Sequence, residues 1–156
     1  MDNSYLWLKT LHLFGVVLFL GNIIITGWWK NMADRTKNAQ IIAFAQRQVT
    51  LTDYVFTAVG ATILIVAGSA NVAIHGLDYS SKWLIMGSLM FTLSGVIWAL
   101  ILIPTQIKQA KMAKVFSETN EIPVQYWKMC MTWNIWGVIA TLLPMANIYW
   151  MTFKPA

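Results

Sequence analysis

The sequence predicts an all-α polytopic membrane protein, a four-transmembrane-helix bundle with its N- and C-termini outside. Three observations predict it. Of 156 residues, 58% are apolar or aromatic and only 11% are charged, against roughly 25% charged in soluble domains. The apolar residues fall into four runs, each near the about 20 residues that cross a bilayer core. Lys and Arg gather beside alternate ends of those runs, which is how orientation is written in a membrane protein. The net charge of +5 resides in short connecting segments, so nucleic acid is not an expected partner. The composition also excludes a soluble globular domain, a disordered chain and a disulfide scaffold.

The first span runs from about Tyr5 to Trp29 and carries one charge, Lys9. Its leading residues Met1-Asp2-Asn3-Ser4 hold no Lys or Arg and its apolar run is long, so it is expected to be a retained span and not a cleaved signal peptide. The second runs from about Asp53 to Ile74, the third from about Trp83 to Gln106 and the fourth from about Met129 to Phe153. The whole chain, 1–156, reads as a single membrane domain. Segments 30–52 and 107–128 are expected as cytoplasmic loops. They carry Lys30, Arg35, Lys37, Arg47, Lys108, Lys111, Lys114 and Lys128, whereas the other side has only Lys9, Lys82 and Lys154. That asymmetry is expected to place the loops in the cytoplasm, and the expected location is the inner membrane of a bacterial cell. Lipid is the first partner, and the basic collar is expected to attract anionic headgroups.

Aromatic residues mark the boundaries. Tyr5, Trp7, Tyr79, Trp83, Tyr149 and Trp150 fall at the outer ends, and Trp28, Trp29, Tyr54, Tyr126 and Trp127 at the inner ends. All eleven read as interfacial anchors, while Trp98, Trp133 and Trp136 read as packing within the spans. Ile41, Ile42, Ala45, Val49 and Thr52 recur at helical spacing, so the second helix is expected to begin before the membrane. Ile107 to Phe116 reads as a basic extension of the third helix, kinked or tilted by Pro104. Gly60, Ala61, Ala67 and Gly68, with Gly87, Ser88, Ser94 and Gly95, are expected to let helices approach closely. Pro144 frees the carbonyl near Ala140, for which Thr141 or Asn147 is the expected donor. GVVLFL from Gly15 and GVIWAL from Gly95 are compatible with an old duplication of one hairpin.

Polar residues within spans are the functional candidates. His12 lies about 10 Å below the outer boundary, at 1.5 Å per residue. Lys9 sits one turn above it, and His75 and Lys82 flank the outer loop. A neutral imidazole suits haem iron in a helical bundle. His12 is then the metal ligand, Lys9 meets a propionate, and His75 or Lys82 offers a second ligand. The alternative reading makes His12 a helix–helix hydrogen-bond donor, and both remain open on the residues alone. Copper at Met129-Cys130-Met131 is disfavoured because adjacent helical residues diverge by about 100°. Asp53 reads as a helix cap in Thr50-Leu51-Thr52-Asp53.

Tyr5-Leu6-Trp7-Leu8-Lys9-Thr10-Leu11-His12, Gly21-Asn22, Trp29-Lys30, Ala33-Asp34-Arg35, Ile103-Pro104-Thr105-Gln106, Trp136-Gly137, Leu143-Pro144 and Phe153-Lys154-Pro155 span the chain. In these segments it resembles an uncharacterised family of predicted integral membrane proteins. That family is grouped with the CopD copper-resistance and HemJ protoporphyrinogen-oxidase families. The resemblance implies a b-type haem at His12, with Lys82 near the place of a second haem-associated residue. The stretch Ile23 to Trp29 lacks the Arg of the HemJ pattern, so the resemblance does not extend to protoporphyrinogen oxidation. The leading expectation is a small haem- or redox-associated membrane protein with its site in the outer half. The alternative is a non-enzymatic accessory or assembly subunit of a larger membrane complex, and a homo-oligomer is compatible with either. The sequence leaves open whether there is turnover.

Overall fold

The computed structural model describes residues 3–155. Four long helices account for nearly all of them: α1 (Asn3–Arg35), α2 (Ala39–Ile74), α3 (Lys82–Thr119) and α4 (Val124–Phe153). No strand occurs among the described residues. The helices are 33, 36, 38 and 30 residues long, and at 1.5 Å per residue each exceeds a hydrocarbon core of about 30 Å. The short connections 36–38 and 120–123 lie at one end, called the basic end below. The first and last described residues, Asn3 and Pro155, and the 75–81 connection lie at the other, the terminal end. In that connection Asp78 accepts from the Ser80 hydroxyl and amide, which hold its carboxyl below the usual carboxylate range.

Local chemistry fixes the turns. Lys37 takes a left-handed φ of +52°, and Asn38 then caps α2 by accepting from the Gln40 and Ile41 amides at 3.0 and 3.1 Å. Asn120, at φ +59°, ends α3 in the same region. Asparagine tolerates that region because its short side chain bonds locally. The helical spacing of 41–52 does extend α2 towards the basic end, and Ile107–Phe116 does continue α3.

That extension corrects the reading of Asp53. The helix passes through Thr50 and Thr52, whose hydroxyls donate back to the Gln46 and Gln48 carbonyls, so there is no helix start to cap. Asp53 instead opens a π-helical turn, Asp53–Ala58, in the middle of α2. A second π-helical turn, Trp98–Leu102, interrupts α3. Pro104 has no N–H for the Leu100 carbonyl, and Ile103 reaches back five residues to the Trp98 carbonyl. The kink expected at Pro104 is thus accommodated as a widened turn.

Pro144 has a different solution. The Ala140 carbonyl accepts from Ser94 Oγ on α3 at 2.6 Å. Thr141 and Asn147, the expected donors, are engaged elsewhere, with the Gly137 and Gly87 carbonyls at 2.7 and 3.0 Å. A threonine hydroxyl in a helix reaches back to the preceding turn, so it cannot serve the residue just before it.

The helices form two antiparallel pairs. In the α1–α2 pair, a Cβ added to Gly60 would lie 2.7 Å from the Phe19 backbone nitrogen, and one on Gly15 would lie 2.7 Å from that of Leu64. In the α3–α4 pair, Gly87 packs on Met151 and Asn147. Gly60, Ala67, Gly87 and Ser94 are buried as expected, but Ser88 and Gly95 are exposed. Gly95 faces open space, so the two GVxxxL segments play different structural roles.

The pairs join mainly towards the basic end. There Ala39, Ile42, Ala113, Phe116, Tyr126 and Cys130 form one core, and Val49, Ile97, Leu102, Trp133 and Ala140 a second. Towards the terminal end no Cα of Val59–Ile74 comes within 8 Å of one in Lys82–Ile97. Phe19 and Phe91 bridge the gap, with ring centroids 5.6 Å apart. Trp7, Trp28, Trp29, Tyr54, Tyr79 and Tyr149 are exposed, consistent with anchors. Tyr126 is not an anchor: it is fully buried, because the extended α2 and α3 enclose the start of α4.

Gly60→Ala is expected to cost about 1–3 kcal/mol, since its Cβ meets backbone that cannot rotate away. Gly21→Ala, whose Cβ would meet nothing within 4 Å, is expected to be neutral or stabilising by about 0.5–1 kcal/mol. Thermal unfolding of both variants in one detergent checks the pair.

Candidate functional site

The four residues singled out by sequence lie towards the terminal end and do not form one cluster. His12 is half-buried, and its Nδ1 lies 2.8 Å from the Leu64 carbonyl. Its ring packs where a Gly68 Cβ would stand, 2.9 Å from Nδ1. A carbonyl only accepts, so Nδ1 carries the proton and Nε2 of the neutral ring keeps its lone pair. His75 has both nitrogens engaged, with Ser4 Oγ at 3.1 Å and the Asn71 carbonyl at 3.2 Å, and it packs edge-on to Tyr5. It lies seven residues, about 10 Å, beyond Gly68 along α2, so it does not face His12. Lys9 and Lys82 are exposed.

A cavity of about 490 Å³ lies between the helix pairs, nearer the basic end. None of those four residues lines it. Its wall is mostly apolar, with Phe19, Ile65, Phe91, Gly95 and Leu142 among the lining groups. Its polar part is built from Asp53, Thr57, Trp98, Gln106, Asn31 and Asn134. Both π-helical turns contribute to it. A π turn rotates the following residues relative to an α-helix, and such turns recur at functional sites. In this fold they bring Asp53 and Thr57 from α2, and Trp98 and Leu102 from α3, to the same space.

Most of these polar groups satisfy one another. Asn31 and Asn134 exchange two amide hydrogen bonds of 3.1 and 3.0 Å. Asp53 Oδ1 accepts from Asn22 Nδ2 and Thr57 Oγ1, both at 3.1 Å. The Trp133 indole donates to Gln106 Oε1 at 3.4 Å. The Asp53 carboxyl, in a residue only 8% exposed, is also approached by the Gln106 and Trp98 side chains from α3. The buried Trp98 indole N–H makes no other hydrogen bond.

Beside the cavity, towards the basic end, lies a closed ionic cluster. Lys30, counted above among loop charges, is 1% exposed. Its Nζ donates to Asp34 Oδ2 at 2.8 Å, stands 3.5 Å from Tyr126 Oη and from Cys130 Sγ, and lies 5.3 Å from the ring centres of Tyr126 and Trp133. The Tyr126 hydroxyl donates to Asp34 Oδ1 at 2.9 Å, and Gln109 Nε2 donates to Cys130 Sγ at 3.2 Å. The ammonium is therefore held by a carboxylate, a phenol, a thiol and two aromatic faces. Cys130 is buried while Met131 is exposed, so the three sulfurs of 129–131 do not converge.

Sequence reasoning missed Asp53, Asn22, Trp98 and Gln106 as a group. Their signal was present. A helix that already runs through 41–52 leaves no N-terminus for Asp53 to cap, and an acid inside a span then becomes a candidate. Lys30 and Asp34 were also legible, as an i,i+4 pair.

The sequence profile of a family described as "Predicted integral membrane protein (DUF2269)" matches residues 6–155. The chain belongs to that family. No curated protein and no solved structure matches it.

Lys30→Met and Asp34→Leu should each destabilise by about 3–5 kcal/mol, because each strands a buried charge. The double variant Lys30→Met/Asp34→Leu is expected to recover most of that loss. Thermal melts of the three variants in detergent measure the non-additivity; equal, additive losses would contradict the pairing.

Proposed function

We propose that this integral membrane protein binds an amphipathic small molecule in the cavity between its helix pairs. The observation that carries the reading is the cavity itself: about 490 Å³, within the 300–1,000 Å³ of ordinary ligand sites, apolar along its wall and polar at Asp53, Trp98 and Gln106. The apolar body of a ligand replaces lipid against Phe19, Phe91 and Leu142. Its head meets the Asp53 side. The separation of the pairs towards the terminal end supplies a lateral route from the bilayer.

The same reading sets the basic end in the cytoplasm of a bacterial cell, at its inner membrane. Arg35, Lys37, Arg47, Lys108, Lys111, Lys114 and Lys128 remain exposed at that end, even with Lys30 withdrawn into the core. Seven against the three of the terminal side keeps the bias, and anionic headgroups are the partners of this collar.

A second reading is a b-type haem on His12. It is favoured by the Nδ1–Leu64 hydrogen bond, which leaves Nε2 as the ligating nitrogen, the arrangement usual for metal-bound histidine. Haem at this position would supply one-electron redox chemistry. His75 is committed to Ser4 and Asn71, which leaves Lys82 as the second-ligand candidate of this reading.

Two measurements separate these readings. Mass spectrometry of organic extracts from purified wild type is expected to find a bound amphiphile that is depleted at least tenfold in Gly95→Trp, which adds an indole at the cavity wall. Equal content in both proteins would contradict the cavity reading. A reduced absorption spectrum with sharp α and β bands, lost in His12→Ala, is the outcome the haem reading requires; a featureless spectrum after haem-precursor feeding would remove it.

A further inference from the structure

We propose that the head group recognised at Asp53 is a protonated amine. This rests on the cavity reading and goes beyond it in assigning the ligand's charge.

The argument starts from what surrounds the carboxyl. Asp53 is nine-tenths buried and lines the cavity. One oxygen accepts from Asn22 and Thr57. The carboxyl is further approached by the neutral Gln106 and Trp98 side chains. The groups that approach Asp53 are Asn22 from α1, Thr57 from its own helix, and Trp98 and Gln106 from α3. None carries a positive charge or titrates. The nearest buried cation, Lys30, is committed to Asp34 at 2.8 Å and enclosed by Tyr126, Trp133 and Cys130.

A buried carboxylate with no counter-charge is costly, and within a membrane the cost is met by a cation or by a proton. The bundle holds one buried pair that is internally neutral and, beside it, one acid with no countercharge. A cation from outside the chain completes the second. An amine cation fits better than a hydrated metal ion, because the cavity supplies a single carboxylate amid neutral side chains and an apolar wall. A hard metal ion needs about six oxygen ligands. Trp98 lines the cavity beside Asp53, and aromatic rings attract ammonium groups. The amine's charge supplies what the neutral donors Asn22, Thr57, Gln106 and Trp98 do not. An anionic head is rejected by the same carboxylate.

The test uses one apolar cage with three heads: adamantylamine, adamantanol and adamantane carboxylate. Binding to the full chain in lipid nanodiscs is measured by calorimetry, with empty discs subtracted. Wild type is expected to bind the amine at least tenfold more tightly than the alcohol and the carboxylate not measurably. Asp53→Asn, which keeps the shape and an acceptor for Asn22, is expected to bind amine and alcohol alike. The proposal is overturned if adamantanol binds wild type as tightly as the amine, or if Asp53→Asn keeps the amine preference. If alcohol and amine bind equally and Gly95→Trp abolishes both, the cavity reading stands and the charge assignment alone fails. If none of the three binds wild type, both fail.

Discussion

A hydrocarbon interior offers no water to a polar group, and the arrangement of this bundle follows from that constraint. The Ala140 carbonyl, released by Pro144, is met by Ser94 from the neighbouring helix. Asn31 and Asn134 complete each other across α1 and α4. Lys30 is held by Asp34 and enclosed by Tyr126, Trp133 and Cys130. Each of these costs a lone polar group several kcal/mol if broken. Asp53 is the exception in charge: only neutral groups approach its carboxyl, which lies beside the cavity.

The cavity is a product of how the helices pair. Glycine contacts draw α1 onto α2 and α3 onto α4, with Gly15 and Gly60 in backbone contact. The two pairs meet over Ala39–Thr52 and Ile103–Thr119, where Ile42, Ala113 and Phe116 pack. Towards the other end the pairs diverge, and Phe19 and Phe91 bridge the gap. The two π-helical turns sit at the transition between these regimes. One is explained by Pro104, which cannot continue the hydrogen-bond ladder. The other begins at Asp53, and nothing in its local sequence demands it.

The helices were legible because apolar runs of about 20 residues have few alternatives. The extension of α2 through 41–52 was legible from its helical spacing, and so was the extension of α3 through Phe116. The site was not, for reasons of context. Asp53 resembles a cap when the span is drawn from 53, and becomes an intramembrane acid once the helix is drawn from Ala39. Lys30 resembles a loop charge until Asp34, one turn on, is seen to share its face. Tyr126 resembles an interfacial anchor until the extended helices cover it. His12 was found by its rarity within a span, and its bond to the Leu64 carbonyl serves a helix contact and a metal ligand equally well. Ser94 as the partner of Ala140 required knowing which helices touch, which no single-chain pattern contains.

The central claim is that Asp53 lies on a lipid-accessible cavity and not at an aqueous helix end. Carbodiimide labelling tests it most directly. Membranes are treated with dicyclohexylcarbodiimide, which partitions into lipid, or with a water-soluble carbodiimide, and modified carboxyls are located by peptide mass spectrometry. The cavity assignment requires the lipophilic reagent to modify Asp53 and the water-soluble one to leave it intact while still modifying exposed Glu118 or Glu121. Modification of Asp53 by the water-soluble reagent to the same extent as Glu118, or resistance to both reagents, would contradict it.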